Sequence, residues 1–298
     1  MSKEWILQKE RSNSFTLKLI CWIALNTSRG VARLFLYPIT FYFLLTSPRV
    51  YTASKNYLRR ISGKKAKIWH VAKHIHCFSA TILDRVYFLT DQDQRFKITI
   101  HGKELLDNLA NTKHGCLLLG SHVGSFEVLR SLAINKMDLP VKILMHQQHN
   151  QMITKILEAL NPKVAESVIN IDGPNALLKV KECIDQGDMV GILGDRVVNG
   201  EKSISCKFIE DNASFPTSPL KLAAVLQAPV ILFFGLYRGG NCYEIYFERF
   251  VDGIHIPRQK RDIKINELTK SYAERIEYYL KYAPFNWFNF YDFWEDEK

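Results

Sequence analysis

The stretch GCLLLGSHVGSFEVLR, residues 115–130, joins an apolar run to a segment of helical spacing through a polar turn. The run predicts a buried strand that ends near Gly120, and the second segment predicts a helix that begins after Gly124. A buried strand followed directly by a helix is typical of a parallel sheet covered by helices. The turn carries His122, and Glu127 lies five residues further along the chain.

The same alternation of short apolar runs and amphipathic stretches continues from residue 95 onwards. It predicts an α/β fold with a mainly parallel mixed sheet flanked by helices. In such a sheet, binding and catalytic residues gather at the carboxyl ends of the strands, where His122 falls. The predicted strands are 96–101, 116–121, 141–146, 167–171, 189–194, 229–237 and 243–248.

The composition indicates a globular protein, because 47% of the 298 residues are hydrophobic and 23% are charged. The six cysteines are scattered without a C-x-x-C spacing, which suits a reducing compartment and indicates neither a disulfide framework nor a zinc site. The spacing H-x3-H-x-H at His70, His74 and His76 has no acidic ligand nearby, so we interpret these histidines as surface residues.

The positive charge is concentrated in the first third of the chain. Residues 1–103 contain 18 Lys and Arg against 5 Asp and Glu, whereas the remaining residues contain 22 against 25. An apolar stretch at 15–48 precedes a cluster of basic residues, the basic apron: Arg49, Lys55, Arg59, Arg60, Lys64, Lys65, Lys67 and Lys73. This order predicts an N-terminal apolar helical segment that anchors the protein on an anionic membrane surface. A buried helical hairpin that packs on the main domain is the alternative. No motif supports binding to nucleic acid.

The change to alternating apolar runs at residue 95 divides the chain into a membrane-associated apolar and basic helical region, 1–94, and an α/β domain, 95–298. In the second region, His122 and Glu127 are the candidate catalytic residues. A carboxylate on one ring nitrogen would fix the tautomer and leave the other nitrogen as a general base. The alternative is that the pair is an accident of a helix start.

The motif GSHVGSFE resembles the H-x4-[DE] motif of the glycerolipid acyltransferase superfamily. It resembles more closely the version found in the bacterial lipid A late acyltransferases. In that version an aromatic residue often precedes the acid, as Phe126 does here. The resemblance continues through GDMVGILGDR (187–196), through CKFIEDNASFPTSPLKLAAVLQAPVI (206–231) and into PFNWFNFYDFW (284–294). It therefore spans nearly the whole chain in ordered blocks.

This resemblance implies transfer of an acyl chain from an acyl carrier protein thioester, or from acyl-CoA, to a hydroxyl of a membrane glycolipid. His122 would act as general base with Glu127, and amides of the turn after His122 are candidate donors to the oxyanion. The resemblance implies no metal or organic cofactor and places the protein on the cytoplasmic face of the bacterial inner membrane. The acyl carrier protein is acidic, so docking of the carrier protein, instead of lipid, on part of the basic apron is an alternative. The predicted substrate-binding residues are Asp195, Arg196, Phe208, Pro216 and Thr217.

Two positions depart from the family pattern. Arg196 stands where the lipid A enzymes commonly have glutamine, and Ser218 stands in place of a glycine. An arginine can bind a phosphate or carboxylate of the substrate, which leaves the acceptor open among lipid A, other glycolipids and aryl-polyene-type lipids. A structural ion pair between Asp195 and Arg196 is the alternative. A catalytically silent membrane-surface binding protein and an acyl-thioester hydrolase also remain as alternative functions.

Overall fold

The computed structural model describes residues 14–112, 115–132, 141–145, 160–161, 166–173, 175–198, 200–253 and 257–294. Its strands are β1 Lys97–His101, β2 Cys116–Gly124, β3 Val141–Met145, β4 Val168–Asn170, β5 Met189–Leu193, β6 Ser203–Phe208, β7 Asp211–Pro216, β8 Val230–Gly239 and β9 Cys242–Val251. Its helices are α1 Ser14–Asn26, α2 Arg29–Leu34, α3 Leu36–Thr46, α4 Pro48–Ser62, α5 Ile68–Leu89, α6 Lys103–Thr112, α7 Phe126–Leu132, α8 Ala176–Asp185, α9 Ser218–Leu226 and α10 Arg261–Tyr282.

Seven of these strands form one sheet in the order β1-β9-β8-β2-β5-β3-β4. The pairings are parallel except for the antiparallel pair β8–β9, which confirms the predicted mainly parallel mixed sheet flanked by helices. The order places β2 in the middle of the sheet, between β8 and β5. The carboxyl end of β2, which contains His122, therefore has a strand on each side.

The strand β2 shows why the sheet is covered on both faces. Leu117 and Leu119 belong to one buried cluster, whereas Cys116 and Leu118 belong to a second cluster. Successive side chains of a strand point to opposite faces, so the sheet separates two apolar layers. A continuous apolar run is the sequence signature of such a strand.

The hairpin formed by β6 and β7 was absent from the predicted strands. In the part of the chain that the structure describes, these two strands pair only with each other, in a separate antiparallel sheet. Their sequences, SISCKF and DNASFP, contain many polar residues and lack the apolar runs on which the prediction of the other strands depended. The hairpin is nevertheless fixed to the core through Phe208 and Phe215, which are fully buried.

The N-terminal helices share both apolar layers with the sheet. Helix α5 supplies Val71 and Ile75 to one cluster and Leu83 and Phe88 to the other. A buried ion pair adds a polar link, in which Arg29 Nε and Nη2 donate to the two carboxylate oxygens of Asp84 at 2.8 and 2.7 Å. The predicted boundary at residues 94 and 95 falls after α5, in the short turn Asp93–Arg95.

Among the described residues, no single helix is long and apolar enough to cross a membrane. One bent pair, Arg29–Thr46 with Pro48–Ser62, has the required length and composition when taken together, with an angle of 97° between its parts. The membrane anchor predicted from residues 15–48 stays a prediction.

The interpretation of His74 as a surface residue is wrong. Its side chain is fully buried between α4 and the residues after α10, 283–294, which we call the C-terminal segment. Nδ1 of His74 is 2.8 Å from Ser54 Oγ, and Nε2 is 2.6 Å from the carbonyl oxygen of Trp287. Its neighbour in the motif, His76, is half-buried and stacks on Tyr37 with ring centroids 5.0 Å apart. Sequence spacing alone did not reveal that the His74 face of α5 is covered.

Candidate active site

The turn between β2 and α7 depends on two glycines. Gly124 has φ +75°, and a Cβ on it would overlap the backbone of Gly235 in β8. The amide of Ser125 donates to the carbonyl oxygen of Gly235 at 2.7 Å, which fixes the chain as it leaves the sheet. Any side chain at Gly191 in β5 would overlap the ring of Phe126, so this ring packs directly over the neighbouring strand. These contacts place the end of β2 and the start of α7 in one defined geometry.

The strand β2 continues to Gly124, so His122 lies within its last residues, beyond the predicted end at 121. The ring nitrogen Nδ1 of His122 is 2.7 Å from Asp195 Oδ1. The backbone amide of His122 also donates to Asp195 Oδ2 at 3.1 Å. Asp195 follows β5, the strand next to β2, so the pair joins the carboxyl ends of two adjacent parallel strands. This position agrees with the usual location of active sites in α/β sheets.

The hydrogen bond determines the tautomer of His122. An ionised carboxylate only accepts hydrogen bonds, so the hydrogen lies on Nδ1 and the lone pair lies on Nε2. Within the described part of the chain, hydrogen bonding by this ring is confined to Nδ1. The side chain of His122 keeps 24% of its surface exposed, whereas that of Asp195 keeps 1%. The arrangement therefore presents a neutral imidazole whose Nε2 can take a proton.

The protonation states of the pair follow from its surroundings. Burial lowers the pKa of His122, the positive charge of Arg196 lowers it further, and Asp195 opposes both effects. Burial alone would raise the pKa of Asp195, but its attraction to His122 and the hydrogen bonds from His122 bring it down to about 2. At neutral pH the carboxylate is ionised and the imidazole is neutral, which is the state that a general base requires.

The C-terminal segment completes the site from the opposite side. The amide of Phe288 donates to the carbonyl oxygen of His122 at 2.9 Å, next to a bridge between Val123 and Trp287. Asn289 Nδ2 donates to Asp195 Oδ2 at 3.0 Å. The residues after α10 therefore hold both members of the pair.

Arg196 is bound to the same segment. Its Nε donates to Asn289 Oδ1 at 2.7 Å, and its Nη2 donates to the carbonyl oxygen of Phe288 at 3.2 Å. The guanidinium also lies over the Tyr291 ring, 5.8 Å from the ring centroid. The side-chain amide of Asn289 thus lies between Asp195 and Arg196 and bonds to both. The two roles considered for Arg196, binding an anionic group of the substrate and forming an ion pair with Asp195, did not include this amide.

Glu127 lies in the first turn of α7 and is nearly buried. Its carboxylate oxygen Oε1 is 3.8 Å from Nε of Arg85, which comes from α5. The carboxylate on Nδ1 of His122 is that of Asp195, a residue that the sequence analysis placed among the substrate-binding residues. The orienting contact predicted for Glu127 is therefore made by Asp195, while the catalytic contribution of Glu127 stays a prediction.

The other predicted substrate-binding residues lie in and after the β6–β7 hairpin. Phe208 is fully buried and makes edge-to-face contacts with Phe215 and Trp287, at centroid distances of 5.1 and 5.5 Å. Pro216 ends β7, and Thr217 Oγ1 donates to the carbonyl oxygen of Lys202 at 3.0 Å. These contacts connect the hairpin to the C-terminal segment through Trp287, and the binding roles of the three residues stay predictions.

Sequence reasoning missed two residues of the site, Asn289 and Arg85. Asn289 lies in the block PFNWFNFYDFW, whose resemblance to the family drew attention to the block but not to this amide. Arg85 lies on α5, in a helix whose sequence gives no sign that one end reaches α7. Among the residues that the structure describes, no group of three or more His, Cys, Asp or Glu could hold a metal ion.

A histidine oriented by a buried carboxylate, at the carboxyl edge of a mainly parallel sheet, is the arrangement expected of an α/β enzyme that works by general-base catalysis. The chain belongs to the bacterial lipid A biosynthesis acyltransferase family, whose model matches residues 70–295. That match contains β2, β5 and the C-terminal segment, and so the whole of the site described above. Membership indicates acyltransferase activity on a lipid A-like substrate. A search of the curated proteins found no match.

Proposed function

We propose that this protein transfers a fatty acyl chain from a thioester to a hydroxyl of a membrane glycolipid or related lipid, with His122 as the general base. The observation that carries the proposal is the 2.7 Å contact between His122 Nδ1 and Asp195 Oδ1, within a chain of the lipid A acyltransferase family. The donor is an acyl carrier protein thioester or acyl-CoA, and the acceptor is lipid A, another glycolipid or an aryl-polyene-type lipid.

The geometry gives each group a role in the reaction. Nε2 of His122 takes the proton of the acceptor hydroxyl while the hydroxyl oxygen attacks the thioester carbonyl carbon. The ionised Asp195 stabilises the imidazolium that results. The carbon–sulfur bond then breaks, and the imidazolium returns the proton to the departing thiolate. The products are an ester and a free thiol, and no other reactant is needed.

The oxyanion formed during attack needs hydrogen-bond donors. The amide of Ser125, one of the turn amides considered for this role, already donates to the carbonyl oxygen of Gly235. The hydroxyl of Ser125 is buried and has no partner within the described residues. This hydroxyl is therefore a better candidate than the amide of the same residue.

Acyl transfer is tested with the purified protein, acyl carrier protein and CoA thioesters, and glycolipids that have free hydroxyls, with products identified by mass spectrometry. We expect an acylated lipid from the wild type and no product from His122→Ala. The matched control is His101→Ala on the edge strand β1, which should leave the rate unchanged. Release of free fatty acid in place of an acylated lipid would instead establish a hydrolase. Lipid binding without turnover would establish a silent binding protein, and either result would overturn the proposal.

The location at the cytoplasmic face of the bacterial inner membrane is part of the same proposal. It is supported by an exposed apolar surface on α1–α3, which consists of Leu19, Trp22, Leu25, Val31, Leu34, Phe35, Tyr37, Phe41, Tyr42 and Leu45. A concentration of large exposed apolar side chains on three consecutive helices is typical of an interaction site, and most residues of the basic apron are exposed as well. Apolar insertion and attraction to anionic lipid would then act together.

Sedimentation with vesicles tests this location. Phe41→Asp, at a side chain that is 61% exposed, should reduce binding to anionic vesicles. Leu178→Asp, at a side chain on α8 that is 56% exposed, is the matched control and should not. If the full chain stays in the supernatant with both anionic and neutral vesicles, the membrane location is wrong.

A further inference from the structure

Asn289 is one of the most buried polar residues among those that the structure describes, with 1% of its surface exposed. The nitrogen of its side-chain amide donates a hydrogen bond, and the oxygen accepts one. Nδ2 donates to Asp195 Oδ2 at 3.0 Å, and Oδ1 accepts from Arg196 Nε at 2.7 Å. A neutral amide is therefore held between a carboxylate and a guanidinium that are neighbours in the chain.

An amide suits this position for a physical reason. A guanidinium and a carboxylate that share one bridging amide are close enough in the chain to pair directly if the amide is removed, often through two parallel hydrogen bonds. Such a pair would engage both oxygens of Asp195, including Oδ1, which His122 Nδ1 uses. The amide instead satisfies one oxygen of Asp195 and one nitrogen of Arg196, and leaves the other oxygen to His122.

We propose that Asn289 is a positioning residue that fixes Asp195 on His122 and keeps Arg196 from pairing with that carboxylate. The effect on catalysis rests on the proposed function. The effect on the titration of His122 does not, because it depends only on which group holds Asp195.

The charged and titratable groups around His122 come from several elements. Asp195 and Arg196 follow β5, and Arg85 on α5 adds a positive charge that also acts on His122. Two hydroxyl groups act on the neighbours of His122: that of Tyr272 in α10 interacts with Asp195, and that of Tyr291 interacts with Arg196. Glu127, on α7, faces Arg85.

The experiment is a double-mutant cycle with Asn289→Leu, Arg196→Met and the double variant, because leucine and methionine keep approximate volume without polar atoms. The titration of His122 is followed by NMR and assigned with His122→Gln. The pH dependence of kcat/KM is measured on the same variants. The control is Asn286→Leu, since Asn286 is buried in the same segment but bonds to the backbone of Tyr237.

In Asn289→Leu, the amide that separates Arg196 from Asp195 is lost and the guanidinium pairs with the carboxylate, which then supports the imidazolium less. We expect the pKa of His122 and the acidic limb of the pH profile to move to lower pH. We also expect kcat to fall about 10- to 100-fold, with little change in KM, because a hydrogen bond to a charged group typically contributes a free energy of that size. Adding Arg196→Met should raise the His122 pKa more in the Asn289→Leu background than in the wild type.

Strictly additive effects in the cycle would overturn the proposal, as would an Asn289→Leu titration that matches the Asn286→Leu control. Either result would make Asn289 a structural tether of the C-terminal segment only. A wild-type protein that transfers no acyl group would overturn the proposed function, while the NMR titration would still decide the role of Asn289. The two failures are therefore distinguishable.

Discussion

The substitution Asp195→Asn tests the active site most directly, because it removes one charge and almost no volume. In the wild type, Asp195 Oδ2 accepts from the His122 amide and from Asn289 Nδ2, while Oδ1 accepts from the ring. The new side chain has one oxygen and one NH2 group. The oxygen is best placed where two donors already converge, so the NH2 group faces Nδ1 of His122. The ring must then adopt the other tautomer, with its hydrogen on Nε2.

The magnitude follows from that change. A ring protonated on Nε2 is not a base at the position that faces the substrate, so the contribution of general-base catalysis is lost. This contribution is typically about 10²–10⁴-fold, equivalent to roughly 3–5 kcal/mol of activation free energy. The free energy of unfolding should change far less, by about 1 kcal/mol, since the hydrogen bonds at residue 195 are retained in number.

The assay is single-turnover acyl transfer, with the tautomer of His122 read from its ¹⁵N chemical shifts and the fold checked by thermal unfolding. Asp185→Asn is the control, because Asp185 is an exposed residue at the end of α8 whose ion pair, within the described residues, is with Lys181. Wild-type kcat in Asp195→Asn would refute the reasoning. So would a large loss of activity with the tautomer unchanged, because the loss would then have another cause.

Three further results are expected. Glu127→Ala should strongly reduce turnover in the acyl-transfer assay, and a wild-type rate would remove Glu127 from the catalytic residues. Burial lowers the pKa of His74 from its ordinary value of 6.5 to about 4. The unfolded chain therefore binds a proton at a higher pH than the folded protein does, and the free energy of unfolding falls as the pH is lowered from 6.5 to about 4. Denaturant unfolding should show roughly 3 kcal/mol of this loss in the wild type and none of it in His74→Gln. Arg29→Ala leaves the Asp84 carboxylate buried without its ionic partner and should lower the free energy of unfolding by about 3–5 kcal/mol, which Asp84→Asn in the same chain should partly restore.

The sequence was sufficient for the sheet because its central strands are buried on both faces. Apolar runs such as those of β2 and β8 leave little alternative to a strand in a covered sheet. His122 was also found, since a histidine at the end of such a run is conspicuous. The hairpin β6–β7 was missed because partly exposed antiparallel strands carry no comparable run.

The orienting carboxylate of His122 was misassigned for a different reason. Glu127 is five residues away in the chain, whereas Asp195 is 73 residues away and reaches the ring only because β2 and β5 are adjacent in the sheet. Strand order is a property of the whole fold and is not written in local spacing. The amide of Asn289, 94 residues beyond Asp195, depends on the path of the C-terminal segment and was still less accessible.

That C-terminal segment also constrains how the protein can be made. Trp287 bonds to His74 across 213 residues of chain, and Pro284 bonds to Tyr57 across 227 residues. Contacts this distant in sequence form late and slow the folding of a domain. During synthesis, His122 and Asp195 therefore leave the ribosome before Phe288 and Asn289, which support them, have been added. A product that stops short of residue 286 would keep the recognisable motif and yet lack the backbone and amide contacts that hold its carboxylate in place.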